Sequence, residues 1–253
     1  MSVTLRLKNL SKNFGSLEAV KDISFKAQTG EIIAVLGPNG AGKSTLMNMI
    51  TGFLAPSSGE ILVLEKNIAD NALEAKKHIG FLPEGSPLYP DLSVRSFLNY
   101  MAELRGFSGE AKKQQVDKVA ETAKISDIMS QKIETLSKGY LRRVGFAQSI
   151  ISDPEILLLD EPTNYLDADG RERLYNLIRR TSATVLVISH DRTLLNQLPA
   201  ICELSSQGLT YYSGNYDFYK KQKTLQQNAL TQQLEEKQKA LRLVRKVARE
   251  VEE

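Results

Sequence analysis

Two clusters in this chain have the residue types and spacing to handle phosphate. Gly37, Pro38, Asn39, Gly40, Ala41, Gly42, Lys43, Ser44 and Thr45 run in order and match a glycine, four free positions, then Gly-Lys-Ser. Gly40 and Gly42 let the backbone fold close around phosphate oxygens with its N–H groups turned inward. A helix opening directly behind them adds its positive end. Lys43 then reaches the β- and γ-phosphates of a nucleotide, and the Ser44 hydroxyl is a ligand for Mg2+. The second cluster is Asp160-Glu161, set straight after Leu157, Leu158 and Leu159. An isolated Asp-Glu pair is usually a solvated loop, but the glycine-rich stretch gives this one a purpose. Ligands of a parallel sheet bind beyond the carboxyl ends of its strands, where both clusters belong. Asp160 is therefore expected to complete the Mg2+ site, and Glu161 to orient or deprotonate an attacking water.

The elements that must position these residues follow from hydrophobic patterning. "VTLRLKNLSKNF" and "AVKDISFKAQTG" alternate like half-buried antiparallel strands, whereas "EIIAVLG" is continuous like a central parallel strand. A helix is predicted from about Lys43 through Ile50, with Leu46, Met47, Met49 and Ile50 apolar. Residues from about 85 to 150 change character, with helical patterns in "SVRSFLNYMAELRG" and "AKKQQVDKVAETAK". Strand-like runs return at "EILLLD", "TVLVISH" and "AICEL". The predicted fold is α/β: a phosphate-loop core with a parallel sheet, an antiparallel N-terminal β subdomain and an inserted helical subdomain. Residues 223–253, free of Gly and Pro, read as a helical C-terminal extension to a domain spanning 1–222.

Composition narrows the setting. The 253 residues suffice for one large core, and 42% hydrophobic with 25% charged is ordinary globular usage. A net charge of +3 is too small to argue for nucleic acid, so no DNA partner is expected. One cysteine, Cys202, forbids an internal disulfide and fits a reducing compartment; within "AICEL" it reads as a small buried hydrophobe. The N-terminus does not read as a signal peptide, and no apolar run approaches the ~20 residues that span a bilayer. A cytoplasmic chain is expected, free to sit against a membrane protein.

Further stretches make the chain resemble the ATP-binding cassette (ABC) ATPases. "LSKGY" (136–140) is similar to the family's signature loop, "GFLPE" (80–84) falls at its Q-loop, and "YLDA" (165–168) falls at its D-loop. "VISHD" places His190 as the switch histidine, and Phe14 sits where an aromatic stacks on adenine. With the phosphate loop, these elements stand in the family's order over residues 1 to about 220. The resemblance implies ATP and Mg2+ as cofactors. It implies Glu161, His190 and Glu84 as catalytic residues, and Glu84 beside Ser44 and Asp160 at the metal. It also implies that Ser137, Lys138, Gly139 and Asp167 meet a nucleotide held by a second copy, in a head-to-tail dimer that closes on ATP. Three positions depart from the pattern: Glu84 replaces a glutamine, Lys138 a glycine and Tyr140 a glutamine. None removes a group that hydrolysis needs.

With "VLGPNGAGKSTLMNMITGFLAPSSGEI", "IGFLPEGSPLYPDLSV" and "LSKGYLRRVGFAQSI", residues 1 to about 150 resemble the ATP subunits of bacterial two-component exporters, which implies a transmembrane permease partner at the cytoplasmic face of the inner membrane. From about 160 on, "DEPTNYLDADGRERLY" and "YYSGNYDFYKKQK" resemble the first cassette of ABC-F-type translation factors, which implies the ribosome. A crossover near Ile151–Thr163 suggests a mosaic or designed chain, for which an isolated cassette without a physiological partner is a third reading. Leu230, Leu234, Leu241, Val244, Ala248 and Val251 form a helical stripe in the tail. Lys237, Lys239, Arg242, Arg245, Lys246 and Arg249 are six bases with no acid among them, open to a partner helix or to RNA phosphate.

Overall fold

The continuous apolar runs become strands covered on both faces. The computed structural model describes the backbone of residues 2–85 and 88–252, with side chains except at 230, 236 and 239–252. In chain order the strands are β1 (Val3–Phe14), β2 (Leu17–Gln28), β3 (Ile32–Leu36), β4 (Ser58–Val63), β5 (Lys66–Asn67), β6 (Ile79–Leu82), β7 (Ile156–Asp160), β8 (Thr184–Ile188), β9 (Ala200–Ser205) and β10 (Gly208–Tyr212). The helices are α1 (Lys43–Ile50), α2 (Ala72–Lys77), α3 (Val94–Leu104), α4 (Gly109–Thr122), α5 (Lys138–Ser149), α6 (Ala168–Arg180), α7 (Arg192–Leu195) and α8 (Tyr216–Glu252).

One sheet has six strands in the order β10-β9-β3-β8-β7-β6, parallel except for the β9–β10 hairpin at its edge. The other is antiparallel, in the order β2-β1-β4-β5. Period-two alternation sends neighbouring residues of each central strand into opposite cores. Ile33, Val35, Ile156, Leu158, Leu186 and Ile188 join α1 and the antiparallel sheet on one side. Ala34, Leu36, Leu157, Leu159, Val185 and Val187 meet the helices on the other. Both sides being buried explains why these strands carry no polar alternation. Leu158 is fully buried, so truncating it to alanine should cost ~2–5 kcal/mol.

The inserted helices α3, α4 and α5 lie between β6 and β7, as the change of pattern over about 85–150 predicts. α1 has the predicted limits, and Cys202 is buried, its thiol pushed up to about 12 by burial. β2 starts at Leu17 and stops at Gln28, because the chain turns through Thr29 and the left-handed Gly30. The last helix starts at Tyr216, earlier than residue 223, because its first turns pack on the domain. Tyr216 and Tyr219 pack against the helix-side core, and the buried Glu203 carboxylate accepts from Tyr219 Oη (3.0 Å) and Lys223 Nζ (2.7 Å). The side chains of Leu230, Lys239, Leu241, Arg242, Val244, Arg245, Lys246, Ala248, Arg249 and Val251 lie outside the described residues; Leu234 and Lys237 are exposed.

Candidate functional site

β3 ends at Leu36, α1 begins at Lys43, and the glycine-rich turn between them is fixed by two close backbone approaches. Gly42 has φ +91°, and a Cβ there would meet the Ala19 carbonyl oxygen at 2.2 Å. A Cβ on Gly37 would meet the Leu204 carbonyl oxygen at 2.3 Å, from the neighbouring β9. Only glycine fits either place, so the turn is held between β2 and β9. Lys43 Nζ donates to the carbonyls of Gly37 (2.8 Å) and Pro38 (3.0 Å), which lays the ammonium along the loop.

The opening turn of α1 faces the end of β7. Ser44 Oγ donates to Asp160 Oδ2 at 3.2 Å, joining the two clusters that the sequence keeps far apart. Asp160 is the last residue of β7 and is buried; burial pushes its carboxyl above the usual range, with the Ser44 hydrogen bond opposing. Glu161 follows in the left-handed region, φ +49°, an uncommon conformation for a residue with a side chain. Its amide donates to the Ile188 carbonyl (2.8 Å), which locks the turn to β8. The carboxylate then meets His190 twice: the His190 amide donates to Oε2 at 3.3 Å, and Nε2 lies 3.3 Å from Oε1. Burial raises the Glu161 carboxyl as well, and the imidazole pulls it back.

Phe14, Asn39, Gly40, Gly42, Lys43, Ser44, Thr45, Glu84, Asp160, Glu161 and His190 all line one open cleft of about 630 Å³. Phe14 is 48% exposed at the end of β1, with the Lys12 ammonium 5.3 Å from its ring centre. Glu84 is exposed just past β6, and its charge adds to the upward push on Asp160 and Glu161. Among the described residues no three His, Cys, Asp or Glu side chains converge to chelate an ion. A hydroxyl beside one carboxylate instead suits Mg2+, which keeps waters and takes phosphate oxygens for most of its shell.

Gly37, Pro38 and Ala41 belong to the loop without lining the cleft, and four further sequence-derived site residues lie elsewhere. Ser137 caps α5, accepting from the Tyr140 amide at 3.4 Å, and Lys138 Nζ sits 5.0 Å from the Tyr165 ring centre. Gly139 lies against the Tyr165 carbonyl, where a Cβ would approach to 3.0 Å. Asp167 caps α6 through the Gly170 amide (2.8 Å) and pairs with Arg143 at 3.2 Å. None of the four lines the cleft. Sequence reasoning missed Leu17, Ala19, Asn164 and Ile188, which do line it, and also Arg142 behind it. No motif marks Arg142; its role emerges only once α5 is packed.

Comparison with known proteins adds an independent line. The family model described as ABC transporter matches residues 20–164. An uncharacterized ABC transporter ATP-binding protein of Bacillus subtilis, YhcH, is 36% identical over 208 residues, covering 80% of this chain and 66% of the relative. A probable multidrug ABC transporter ATP-binding protein of Escherichia coli, YbhF, is 33% identical over 189 residues, covering 74% of this chain and 33% of its own length. The match thus spans under two thirds of these relatives' length. Among solved structures, the dimeric bacterial ABC transporter cassette MJ0796 superposes with TM-score 0.76 at 25% identity, covering 83% of this chain and 98% of that one. The same cassette is known as a dimer in a post-hydrolysis state bound to ADP and Pi, TM-score 0.75.

Proposed function

The chain belongs to the ABC transporter family, and on that premise we propose that it binds and hydrolyses ATP as the energising subunit of an exporter. The observation that carries this reading is the single cleft that gathers Lys43, Ser44, Asp160, Glu161 and His190. The loop amides, the helix N-terminus and Lys43 hold the phosphates. Ser44 and Asp160 would hold Mg2+, which when bound draws charge from the terminal phosphate oxygens. Glu161 takes a proton from water as the water oxygen bonds to the terminal phosphorus and the bridging P–O bond breaks, ADP leaving with the electron pair. His190 keeps the Glu161 carboxylate aimed, through both contacts. Ser137, Lys138, Gly139 and Asp167 sit away from this cleft and largely at the surface, which supports a head-to-tail dimer in which each copy completes its partner's site.

Among the described residues no helix is long and apolar enough to cross a membrane; in the exporter reading a transmembrane permease at the inner membrane supplies the path. One observation favours a second reading. α8 continues to Glu252, and its described side chains from 227 onward are exposed, which suits an outside partner. An ABC-F-like role at the ribosome would use this helix. Cofractionation with membranes supports the exporter reading, and cofractionation with ribosomes supports the other. Lys43→Ala tests the shared premise: it should abolish tight ATP binding while leaving the melting temperature of the ligand-free protein near the parent's. Unchanged Mg·ATP affinity in that variant overturns the site assignment.

A further inference from the structure

Arg142 is the one base among the buried charged residues described, and it takes no part in the hydrolytic steps proposed for the cleft. It lies on α5, the helix that Ser137 caps, and its side chain runs inward behind the cleft. Nη1 donates to the carbonyls of Pro83 (2.5 Å) and Glu84 (3.1 Å), and Nη2 donates to the carbonyl of Asp160. Its Nε is buried without a partner. Three carbonyls and no carboxylate take its hydrogen bonds, so the guanidinium keeps a whole positive charge inside the protein. A buried charge without an ion-pair partner is costly, and such a residue persists when its field serves nearby groups. Here the groups that feel its charge are Asp160, Glu161 and Glu84, three carboxylates that share the phosphate cleft.

A cleft with three carboxylates repels a polyphosphate. Lys43 faces the ligand directly, but it is one ammonium against three acids. Salt and water screen a charge behind the cleft wall less than one at the surface, so Arg142 acts on the cleft more strongly than an exposed base would. We propose that Arg142 is a positioning residue that ties the backbones of Glu84 and Asp160 together and offsets the carboxylate of Glu84, so that the cleft accepts an anionic nucleotide. This rests on the nucleotide reading of the site.

The test measures ATP affinity without divalent metal, in chelator, for the parent, Arg142→Gln, Arg142→Lys, Glu84→Gln and the double variant Arg142→Gln/Glu84→Gln. Arg142→Gln should weaken binding about tenfold or more, the usual range for groups that support a site from behind. Removing the Glu84 charge should restore it: the double variant is expected within about threefold of Glu84→Gln alone, a coupled rather than additive pair. Arg142→Lys keeps the charge but loses the planar fork that spans the three carbonyls, so it should fall between the parent and Arg142→Gln. A merely structural arginine gives another pattern, in which the double variant is as weak as the two single effects together, and that result overturns the proposal. Parental affinity in Arg142→Gln overturns it too. Should Arg142→Gln fail to fold, Glu84→Gln decides: with one repelling carboxylate gone it should bind ATP in chelator more tightly than the parent, and parental or weaker affinity refutes the role of charge. Lys43→Ala runs alongside: if it binds like the parent, the nucleotide reading has failed, separately from this inference.

Discussion

Replacing Glu161 with glutamine keeps the side chain's length while removing its charge and its basicity. Both contacts to His190 have a neutral equivalent. The amide oxygen accepts from the His190 amide, now 3.3 Å from Oε2, and the amide nitrogen donates to a neutral Nε2, now 3.3 Å from Oε1. Asp160 and its hydrogen bond from Ser44 are untouched. The fold and the nucleotide site should therefore survive, and the loss falls on proton transfer. A general base supplies ~10²-fold or more, which is ~2.7 kcal/mol at 1.36 kcal/mol per tenfold. Phosphate release should be measured at saturating Mg·ATP beside ATP affinity, with turnover down ~10²-fold and affinity held. Hydrolysis opens the proposed dimer, so size-exclusion chromatography of the variant with Mg·ATP should show a dimer that the parent does not accumulate. Parental turnover in Glu161→Gln refutes the base assignment. An inactive variant that stays monomeric spares the base and refutes the two-copy mechanism.

Phe14→Ala should weaken ATP by ~1–3 kcal/mol if the ring stacks on adenine. Its exposure means the melting temperature should barely move, and a destabilised variant with normal affinity would make Phe14 a packing residue instead. Ending the chain after Asn228 should leave turnover intact, since Tyr219, Lys223 and Gln226 keep their contacts to Glu203 and Tyr212; loss of folding in a thermal melt would contradict this. Burial raises the Asp160 carboxyl in the folded state, so its stabilising contribution is complete below the ordinary aspartate range and is lost as pH rises through the raised value. Asp160→Asn should accordingly melt higher than the parent at neutral pH without metal or nucleotide, with the gain vanishing in acid. An equal gain at both pH values would assign the effect to packing.

The phosphate site was legible because its chemistry is local. Glycines, a lysine and a serine at fixed offsets leave the loop few alternatives, and α1 behind it has the predicted ends. The triple-leucine run before Asp160 announces a strand covered on both faces, and period-two burial into two cores bears that out. The quieter elements escaped. β4 begins with exposed Ser58, Gly59 and Glu60, and β6 is only Ile79–Leu82, so neither carries a pattern long enough to read. α6 is rich in charge and contains Gly170, and its start depends on Asp167 as a cap. Arg142 was illegible for a different reason. A base on a helix reads as solvated, and only the packing of α5 against the ends of β6 and β7 turns it inward.

The left-handed turn at Glu161 has a bearing on how this chain can be improved or can drift. A glycine relaxes that backbone most readily, and strain of this kind is worth ~1–3 kcal/mol. A selection that rewards only heat tolerance or expression is thus offered a ready gain at the one residue assigned to activate water. Sturdier proteins recovered that way would be enriched in inert ones. A library built on this scaffold needs a turnover screen running beside the stability screen, or it will settle on well-folded chains that hold their nucleotide and never spend it.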